Sequence, residues 1–386
     1  MMNTRHANGF VTLTVTLIVI VMVILVSLMT GRILVGDKRI SANELRYREA
    51  LANAEAGIDA AMAATAAGGI AALPVSDGLS TFPITISGAT VSRRLTTLTI
   101  SSSAGNNTLR LIDFTSTGLS QGLSEGVATI HQQALFVRVV PGAPDAPLTV
   151  AGGLSVSGDF TVVANPNGGG RGVPLSIWTD QNVDLTHGSG QTCGQQEWDP
   201  STTKCTEANY SNSKDNKQAD ILDSDPNFPS DLLRYVFGVP SDSGHVAQSM
   251  QTLESRAVAV LTSCNSLNSS STGLYIIDGN CNPAGTIGSQ AAPVVLLIRN
   301  GNITMNGNMV IYGLVFSYDS APGSAPNYDF KMTGGATVYG AVVSNHQVGN
   351  SNGTYNAVYD AAALSNIQNT APFNTLVRVP GSWRDW

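Results

Sequence analysis

The sequence predicts an α+β fold in which a long N-terminal membrane-spanning helix precedes a small antiparallel sheet and a larger β-rich, irregular β-helix-like region. Three features predict it: an uncharged apolar run near the N-terminus, β-like segments bounded by turn residues in the middle, and a repeated strand pattern with glycines towards the C-terminus. With 386 residues, the chain is long enough for two or three domains.

The charge balance excludes a nucleic-acid-binding protein and favours an exported one. Charged residues make up 12% of the chain, against about 25% in a typical soluble domain. Six basic and three acidic residues give residues 1–49 a net charge of +3, so that the rest of the chain carries −10 within a total of −7. A basic, apolar start before an acidic, polar body is typical of a membrane-tethered protein, and the chain has no basic surface of the extent that nucleic-acid binding requires.

The apolar run is long enough to cross a membrane. No Asp, Glu, Lys or Arg lies between Arg5 and Arg32, and residues 10–30 read FVTLTVTLIVIVMVILVSLMT. As a helix, these residues span roughly 32 Å, close to the ~30 Å core of a bilayer. Basic residues flank both ends, so charge does not set the orientation. The polar, cysteine-bearing remainder belongs outside the cytoplasm, which predicts a single-pass membrane protein with an exported C-terminal domain.

The residues around the start of the apolar run resemble the class III leader of type IV prepilins. In RHANGFVTL, a short basic stretch leads to Gly9, and Phe10 opens the apolar helix. The resemblance implies that residues 1–9 are a leader, that a prepilin peptidase cuts after Gly9, and that Phe10 becomes the methylated N-terminus. It also implies that the membrane is the inner membrane, with the C-terminal domain in the periplasm. Asn8 departs from the family pattern, which has a basic residue there.

A second departure from the pilin pattern lies at the fifth mature position. Most pilins carry Glu there, where its carboxylate neutralises the N-terminus of the adjacent subunit, but this chain has Thr14. A subunit with no N-terminus above it gains by losing the acid, since an unpaired buried carboxylate is costly. The resemblance to minor pilins and pseudopilins that lack the acid therefore implies a tip subunit. The alternative is that Thr14 only continues the Thr12, Thr14, Thr16 pattern.

The helix is expected to continue from the membrane to about residue 70. The segment ALANAEAGI, residues 50–58, resembles the A-x-A-E-A-G-hydrophobic signature of the N-terminal region of the minor pilin PilX. Its small residues allow another helix or a sheet to lie close, and Glu55 is either a functional contact or a solvated carboxylate. The helix-packing signature of this segment is Ala54, Glu55, Ala56 and Gly57.

Residues 71–146 are expected to form a pilin-like antiparallel sheet. Short β-like runs alternate with turns over the ranges Phe82–Ser87, Leu95–Ser101, Thr108–Thr115 and Val127–Val140.

An imperfect repeat marks residues 147–386 as a β-helix-like domain. The segments MNGNMVIYGLVFS (305–317) and MTGGATVYGAVVS (332–344) align without gaps at a period of 27, and residues 150–162 form a looser copy. The stacked coils of a β-helix require this order of a strand, a tight glycine turn and a second strand. Further rungs are expected at 174–185 and 293–305.

Residues 188–290 are predicted to be a turn-rich insertion with one short helix at Ser230–Gly238. The insertion contains all four cysteines, Cys193, Cys205, Cys264 and Cys281. Four thiols allow three pairings, of which the local one joins the first to the second and the third to the fourth. An exported context favours disulfides over a zinc site, because there is no C-x-x-C and His245 has no partner at ligand spacing.

The sequence contains no established catalytic, metal or cofactor motif, which predicts a non-enzymatic protein with no metal and no cofactor. Asp180, Asp184 and Asp319 are expected to be turn or strand residues rather than sugar-cleaving carboxylates. The run Asp223, Asp225, Asn227 opens like a calcium loop, but Phe228 and Arg234 replace the required Gly and Glu, which favours a plain acidic loop.

The resemblance to PilX-like minor pilins implies a structural subunit that promotes type IV pilus assembly, at initiation or in a tip complex, and displays a domain for adhesion. Its implied partners are other minor pilins, the major pilin, a tip adhesin, the prepilin peptidase and the inner membrane, with the mature protein at the pilus or cell surface; no nucleic-acid partner is expected. Two alternatives stay open: a tip pseudopilin of type II secretion, and a membrane-anchored β-helix adhesin or carbohydrate-binding protein that never enters a filament.

Overall fold

A computed structural model describes residues 8–70, 73, 77–81, 88–102, 105–121, 126–185, 188–206, 210–213, 217–322, 328–352 and 355–386. The expected strand Phe82–Ser87 and most of the expected leader lie outside these residues. The chain divides into two compact units. The first unit contains residues 1–64, 74–135 and 377–386, and the second contains residues 65–73 and 136–376.

The described residues form four α-helices and 23 strands. The helices are α1 (Asn8–Gly68), α2 (Leu232–Phe237), α3 (Val246–Arg256) and α4 (Ala361–Asn369). The first strands are β1 (Gly78–Thr81), β2 (Ala89–Ser102), β3 (Gly105–Leu119), β4 (Val127–Arg138), β5 (Leu148–Val150), β6 (Leu154–Ser157), β7 (Phe160–Val163), β8 (Ile177–Thr179), β9 (Val183–Asp184), β10 (Gln191–Cys193), β11 (Trp198–Asp199) and β12 (Lys204–Cys205). The others are β13 (Ile221–Leu222), β14 (Ala259–Leu261), β15 (Gly273–Asp278), β16 (Val294–Arg299), β17 (Ile303–Met305), β18 (Val310–Tyr318), β19 (Phe330–Met332), β20 (Ala336–Ser344), β21 (Val348–Asn352), β22 (Tyr355–Val358) and β23 (Asn374–Arg378).

Helix α1 is a single element that runs without a break from the apolar stretch into the alanine-rich segment. It passes through Gly31 and Gly36, so neither glycine ends it. An i,i+4 pair between Glu44 and Arg48, 2.5 Å apart, supports its exposed middle. It ends at Gly68, because Gly69 takes a left-handed conformation with φ 62° that terminates helices.

The sheet of the first unit is antiparallel over its first four strands and has the order β1-β2-β3-β4-β23. Burial alternates residue by residue along β4, as a strand with one covered face requires. The predicted strands at 95–101, 108–115 and 127–140 all lie in or overlap this sheet, so the small antiparallel sheet is confirmed.

The second unit is built on an 11-stranded parallel sheet whose main path is β10-β7-β22-β20-β18-β16-β15-β14. The two best repeat copies occupy neighbouring strands, β18 and β20, in the register that the 27-residue period requires: Tyr312 lies opposite Tyr339, and Gly313 opposite Gly340. The looser copy supplies β5, β6 and β7, which pair in parallel with β20, β21 and β22. Two smaller parallel sheets, β17-β19 and β21-β6-β9, repeat the same stacking.

Glycine is required where successive strands come closest. Gly340 has φ 140°, and a Cβ placed there would lie 1.9 Å from the carbonyl oxygen of Gly313. Gly313 has φ 137° and would place a Cβ 1.8 Å from the carbonyl oxygen of Val294. The recurring Tyr-Gly of the repeat therefore reflects backbone contact between rungs.

The segment predicted as a turn-rich insertion differs from that description. Its expected short helix is present as α2, which Asp231 caps at the start and Gly238 ends in a left-handed conformation. It also contains α3 and supplies β14 and β15 to the parallel sheet. The sequence did not predict α3 (VAQSMQTLESR) because the segment is mostly polar. Its buried face consists only of Ser249, Met250 and Leu253.

Candidate functional site: the N-terminal helix and its sheet

The membrane-length part of α1 is not covered by any of the residues that the structure describes. Every residue from Thr12 to Val35 is exposed, including large side chains such as Leu17, Ile24 and Met29. Within the described residues, α1 is a helix long and apolar enough to cross a membrane, and its most apolar window has no buried residue. So large an exposed apolar surface in one segment requires a lipid or protein partner.

Thr14, the predicted fifth mature position, lies in this exposed stretch and brings no charge to it. Its neighbour Thr16 bonds back to the helix, donating its hydroxyl to the carbonyl oxygens of Thr12 and Leu13 at 2.9 Å each. Such local bonds satisfy hydroxyls inside an apolar environment. Gly9 and Phe10, the predicted processing site, belong to the first turns of α1.

Farther along, small residues of α1 bring its backbone against the sheet of the first unit. Ala50, Ala54 and Ala61 are fully buried. A Cβ on Gly118 of β3 would lie 2.1 Å from the carbonyl oxygen of Ala50 and 2.5 Å from the backbone nitrogen of Ala54. Helix and sheet therefore touch through their backbones.

At Gly57, helix α1 comes close to the sheet of the first unit a second time. A Cβ at this position would lie 2.3 Å from the hydroxyl of Ser116 and 3.2 Å from Ala89 and Val91. The Asn53 side chain fixes the register by donating to the carbonyl oxygen of Leu119 at 2.7 Å.

The signature segment 54–57 is therefore divided between two faces of the helix. Ala54 and Gly57 face the sheet, whereas Glu55 and Ala56 are exposed. The sequence identified the helix side of this interface but not the sheet side. The signal on the sheet side was a glycine in an otherwise β-forming strand, Gly118, which often marks a close approach of another backbone.

The C-terminal residues of the chain also pack on the first unit. Arg384 exchanges two backbone hydrogen bonds with His131, at 2.8 and 3.1 Å, and Val379 donates to Gln133 at 2.9 Å. Arg378 forms an ion pair with Asp59 of α1. Glu55 and Trp383 lie along a polar cleft of about 220 Å³ in the same unit.

Both disulfides of the second unit join sequence-local cysteines, Cys193 to Cys205 and Cys264 to Cys281. Cys193, Cys264 and Cys281 are fully buried. Each bond closes a short loop next to the parallel sheet, at sequence separations of 12 and 17 residues. Crosslinks of this length typically stabilise a fold by about 3 kcal/mol.

The acidic groups singled out in the sequence are bonded to the protein itself. Asp225 accepts the indole N–H of Trp178 at 2.8 Å and the backbone N–H of Asn227 at 2.9 Å, and Asp223 pairs with Lys217. No group of three or more His, Cys, Asp or Glu within reach of one metal ion occurs among the residues described.

The three carboxylates considered for sugar cleavage occupy separate places on the second unit. Asp180 accepts the backbone N–H of Gly152 at 2.5 Å, and buried Asp319 accepts that of Ala321 at 2.8 Å. Asp184 lies in strand β9. Asp180 therefore joins two segments that are 28 residues apart, whereas Asp319 serves a local backbone turn, as short acidic side chains commonly do.

A buried serine–histidine contact was not anticipated from the sequence. The hydroxyl of Ser317 lies 2.9 Å from Nε2 of His346, whose Nδ1 lies 2.9 Å from the carbonyl oxygen of Gln347. Ser317 is 2% exposed and His346 is 4% exposed, so neither is open to a substrate. Burial lowers the pKa of His346, because it penalises the charged imidazolium.

Residues 8–59 match the family model described as PilX N-terminal. This match confirms the PilX-like N-terminal region indicated by ALANAEAGI, and it includes both the exposed apolar stretch and the residues that touch the sheet. Comparison with curated proteins and with solved structures finds no match. The family match therefore relates the N-terminal region to type IV pilus proteins.

Proposed function

We propose that the chain is a minor pilin, a non-enzymatic structural subunit that promotes type IV pilus assembly. The observation that supports it most is the combination, inside the PilX-type region, of an uncovered apolar helix with a backbone-close anchor to a sheet. The exposed stretch Thr12–Val35 supplies the surface by which subunits join through helix packing. The anchor at Ala50, Ala54 and Gly57 fixes the sheet to that helix.

Before assembly, the protein is anchored in the inner membrane and its second unit lies in the periplasm. Two disulfides suit that oxidising compartment. A prepilin peptidase removes the leader after Gly9, and the mature helix then packs against other minor pilins and the major pilin. Thr14 supports a place at the end of the helix stack, next to a tip adhesin, because it offers no carboxylate to a subunit above.

The second unit is then carried outward on the fibre as a display domain. Its 11-stranded sheet and paired cysteines give it a rigid core that does not depend on the membrane helix for burial. A role in adhesion is part of the proposal and rests on this display alone.

Counting surface pili after deletion of the chain tests the proposed function. We expect fewer pili, with the number restored by the full-length chain. Normal piliation with impaired protein secretion would indicate the type II tip pseudopilin instead. Normal piliation with lost binding to a surface polysaccharide would indicate a membrane-anchored adhesin.

A further inference from the structure

Two arginines follow the apolar stretch of α1 on one side of the helix. Arg32 and Arg39 are seven residues apart, a separation that returns to within about 20° of the same direction after two turns. Asp37 and Glu44 lie about 140° and 120° around the helix from Arg32, on the opposite side. Arg32 and Arg39 therefore share a side of the helix that faces away from Asp37 and Glu44. Arg46 continues this side seven residues farther on, and Lys38 lies about 120° from Arg32 in the other direction.

These two arginines have no counter-charge within the part of the chain that is described. No ion pair or hydrogen bond of Arg32 or Arg39 occurs among the described residues, whereas Arg48 on the opposite side pairs with Glu44. Two neighbouring guanidinium groups without a partner favour an anionic ligand, and phosphate matches their planar, two-pronged geometry.

The same arginines border a groove that is apolar at one end and basic at the other. The groove is a shallow, open region on the surface of α1, and it is lined by Ser27, Leu28, Gly31, Arg32, Val35, Gly36 and Arg39. A Cβ at Gly31 or Gly36 would meet nothing within 4 Å. Its occupant must be apolar beside Leu28 and anionic beside Arg39, which is the order of groups along a phospholipid.

The position of the groove relative to the bilayer agrees with a phospholipid as its occupant. If the apolar residues 10–30 fill the bilayer core, Arg32 lies about 3 Å and Arg39 about 13 Å beyond its edge along the helix. Side chains in a helix lean towards its N-terminus, which here is the membrane side, so Arg39 leans back towards the headgroup layer.

The glycines argue against a partner helix in this groove. Close helix packing in membranes uses small residues four apart, which share one face. Gly31 and Gly36 are five apart and lie about 140° around the helix from each other. They open the groove without forming a flat seam for a second helix.

We propose that the groove between Leu28 and Arg39 binds the headgroup and upper acyl chain of an anionic phospholipid on the non-cytoplasmic side of the membrane. The lipid occupies this side of α1 while the protein is anchored in the membrane. The inference rests on the membrane anchoring in the proposed function, and not on entry into a pilus.

Native mass spectrometry of the detergent-purified full-length chain tests this proposal. The probes are phosphatidylglycerol and phosphatidylcholine with identical acyl chains. We expect phosphatidylglycerol adducts to dominate and to weaken as salt is raised. The double variant Arg32→Gln/Arg39→Gln should lose about fivefold in phosphatidylglycerol affinity per neutralised residue, the equivalent of about 1 kcal/mol each.

The matched control is Arg46→Gln/Arg48→Gln, which removes the same charge from the same helix farther from the membrane. It should bind phosphatidylglycerol as the wild type does. Arg32→Gln/Arg39→Gln should keep the wild-type melting temperature, and the control should lose only the small contribution of the exposed pair between Glu44 and Arg48. Equal binding of the two lipids, or equal losses in the two variants, would overturn the proposal. Unchanged phosphatidylglycerol binding by Arg32→Gln/Arg39→Gln would also overturn the proposal. If chemical crosslinking in the membrane then showed that this variant no longer crosslinks to another pilin, the groove would be assigned to a protein partner. Because the assay needs no fibres, a chain that never enters a pilus can still pass it.

Discussion

Gly118 of β3 lies directly over Ala50 of α1, so close that a Cβ on the glycine would come within 2.1 Å of the alanine's carbonyl oxygen. The PilX-type helix thus touches its sheet backbone to backbone, and any side chain at this point must push the two apart. This contact is what turns an exposed apolar helix into a rigid part of a folded unit.

Replacing Gly118 by Ala should destabilise the first unit by about 1–3 kcal/mol, because the added methyl group has no space and the backbone must move. Chemical denaturation of the full-length protein in detergent measures the loss. The matched control is Gly142→Ala, where a Cβ would meet nothing within 4 Å. Equal effects of the two substitutions would show that the contact between Gly118 and Ala50 is not tight.

The close backbone contact between Gly340 and Gly313 predicts that the second unit is also destabilised by a side chain at such a position. Gly340→Ala adds a methyl group 1.9 Å from a carbonyl oxygen at a backbone φ of 140°, and both effects oppose folding. We expect a loss of at least about 2 kcal/mol in the free energy of unfolding. Gly285→Ala, at an open position of the same unit, should be nearly neutral. A mild effect at Gly340 would contradict the register of β18 and β20.

Burial of His346 predicts that stability falls on mild acidification. Its pKa is lowered in the folded state from an ordinary value of 6.5, so the unfolded chain binds the proton more readily. This contribution is complete above pH 6.5 and is lost as the pH falls below it. Melting temperatures measured from pH 7.5 to 5.5 should decrease, and His346→Gln should flatten the decrease. The same slope in both proteins would exclude His346 as its source.

Local sequence patterns predicted the parts of the fold whose signal lies within one stretch of chain. The 27-residue period identified Met305 and Met332 as equivalent, and they lie opposite each other in β17 and β19. The small-residue signature predicted a close contact at Ala54 and Gly57, and both face the sheet.

What the sequence did not predict depends on contacts between distant segments. The pairing of Arg384 with His131 joins positions more than 250 residues apart, and neither position carries a local signal for it. The Ser317–His346 contact likewise follows from the folding of two rungs and from no motif. Helix α4 follows the last strand of the parallel sheet, and Ser365, Asn366 and Asn369 weaken its helical signal, because such side chains compete with a helix by bonding to the backbone.

Thr14 provides a test of the proposed end position in the helix stack. Thr14→Glu places a carboxylate in the apolar stretch, where an unpaired charge costs about 3 kcal/mol. If no subunit N-terminus lies above it, we expect fewer surface pili than with Thr14→Gln, at equal protein level in the membrane. Unchanged or higher pilus numbers with Thr14→Glu would indicate a partner amine, and therefore a place within the shaft.

The most direct test of the account is the mass of the N-terminal peptide of the protein recovered from sheared surface fibres. We expect the protein to be present in the fibres and its chain to begin with methylated Phe10. A chain that keeps residues 1–9, is absent from the fibres, and can be deleted without changing fibre number would contradict it.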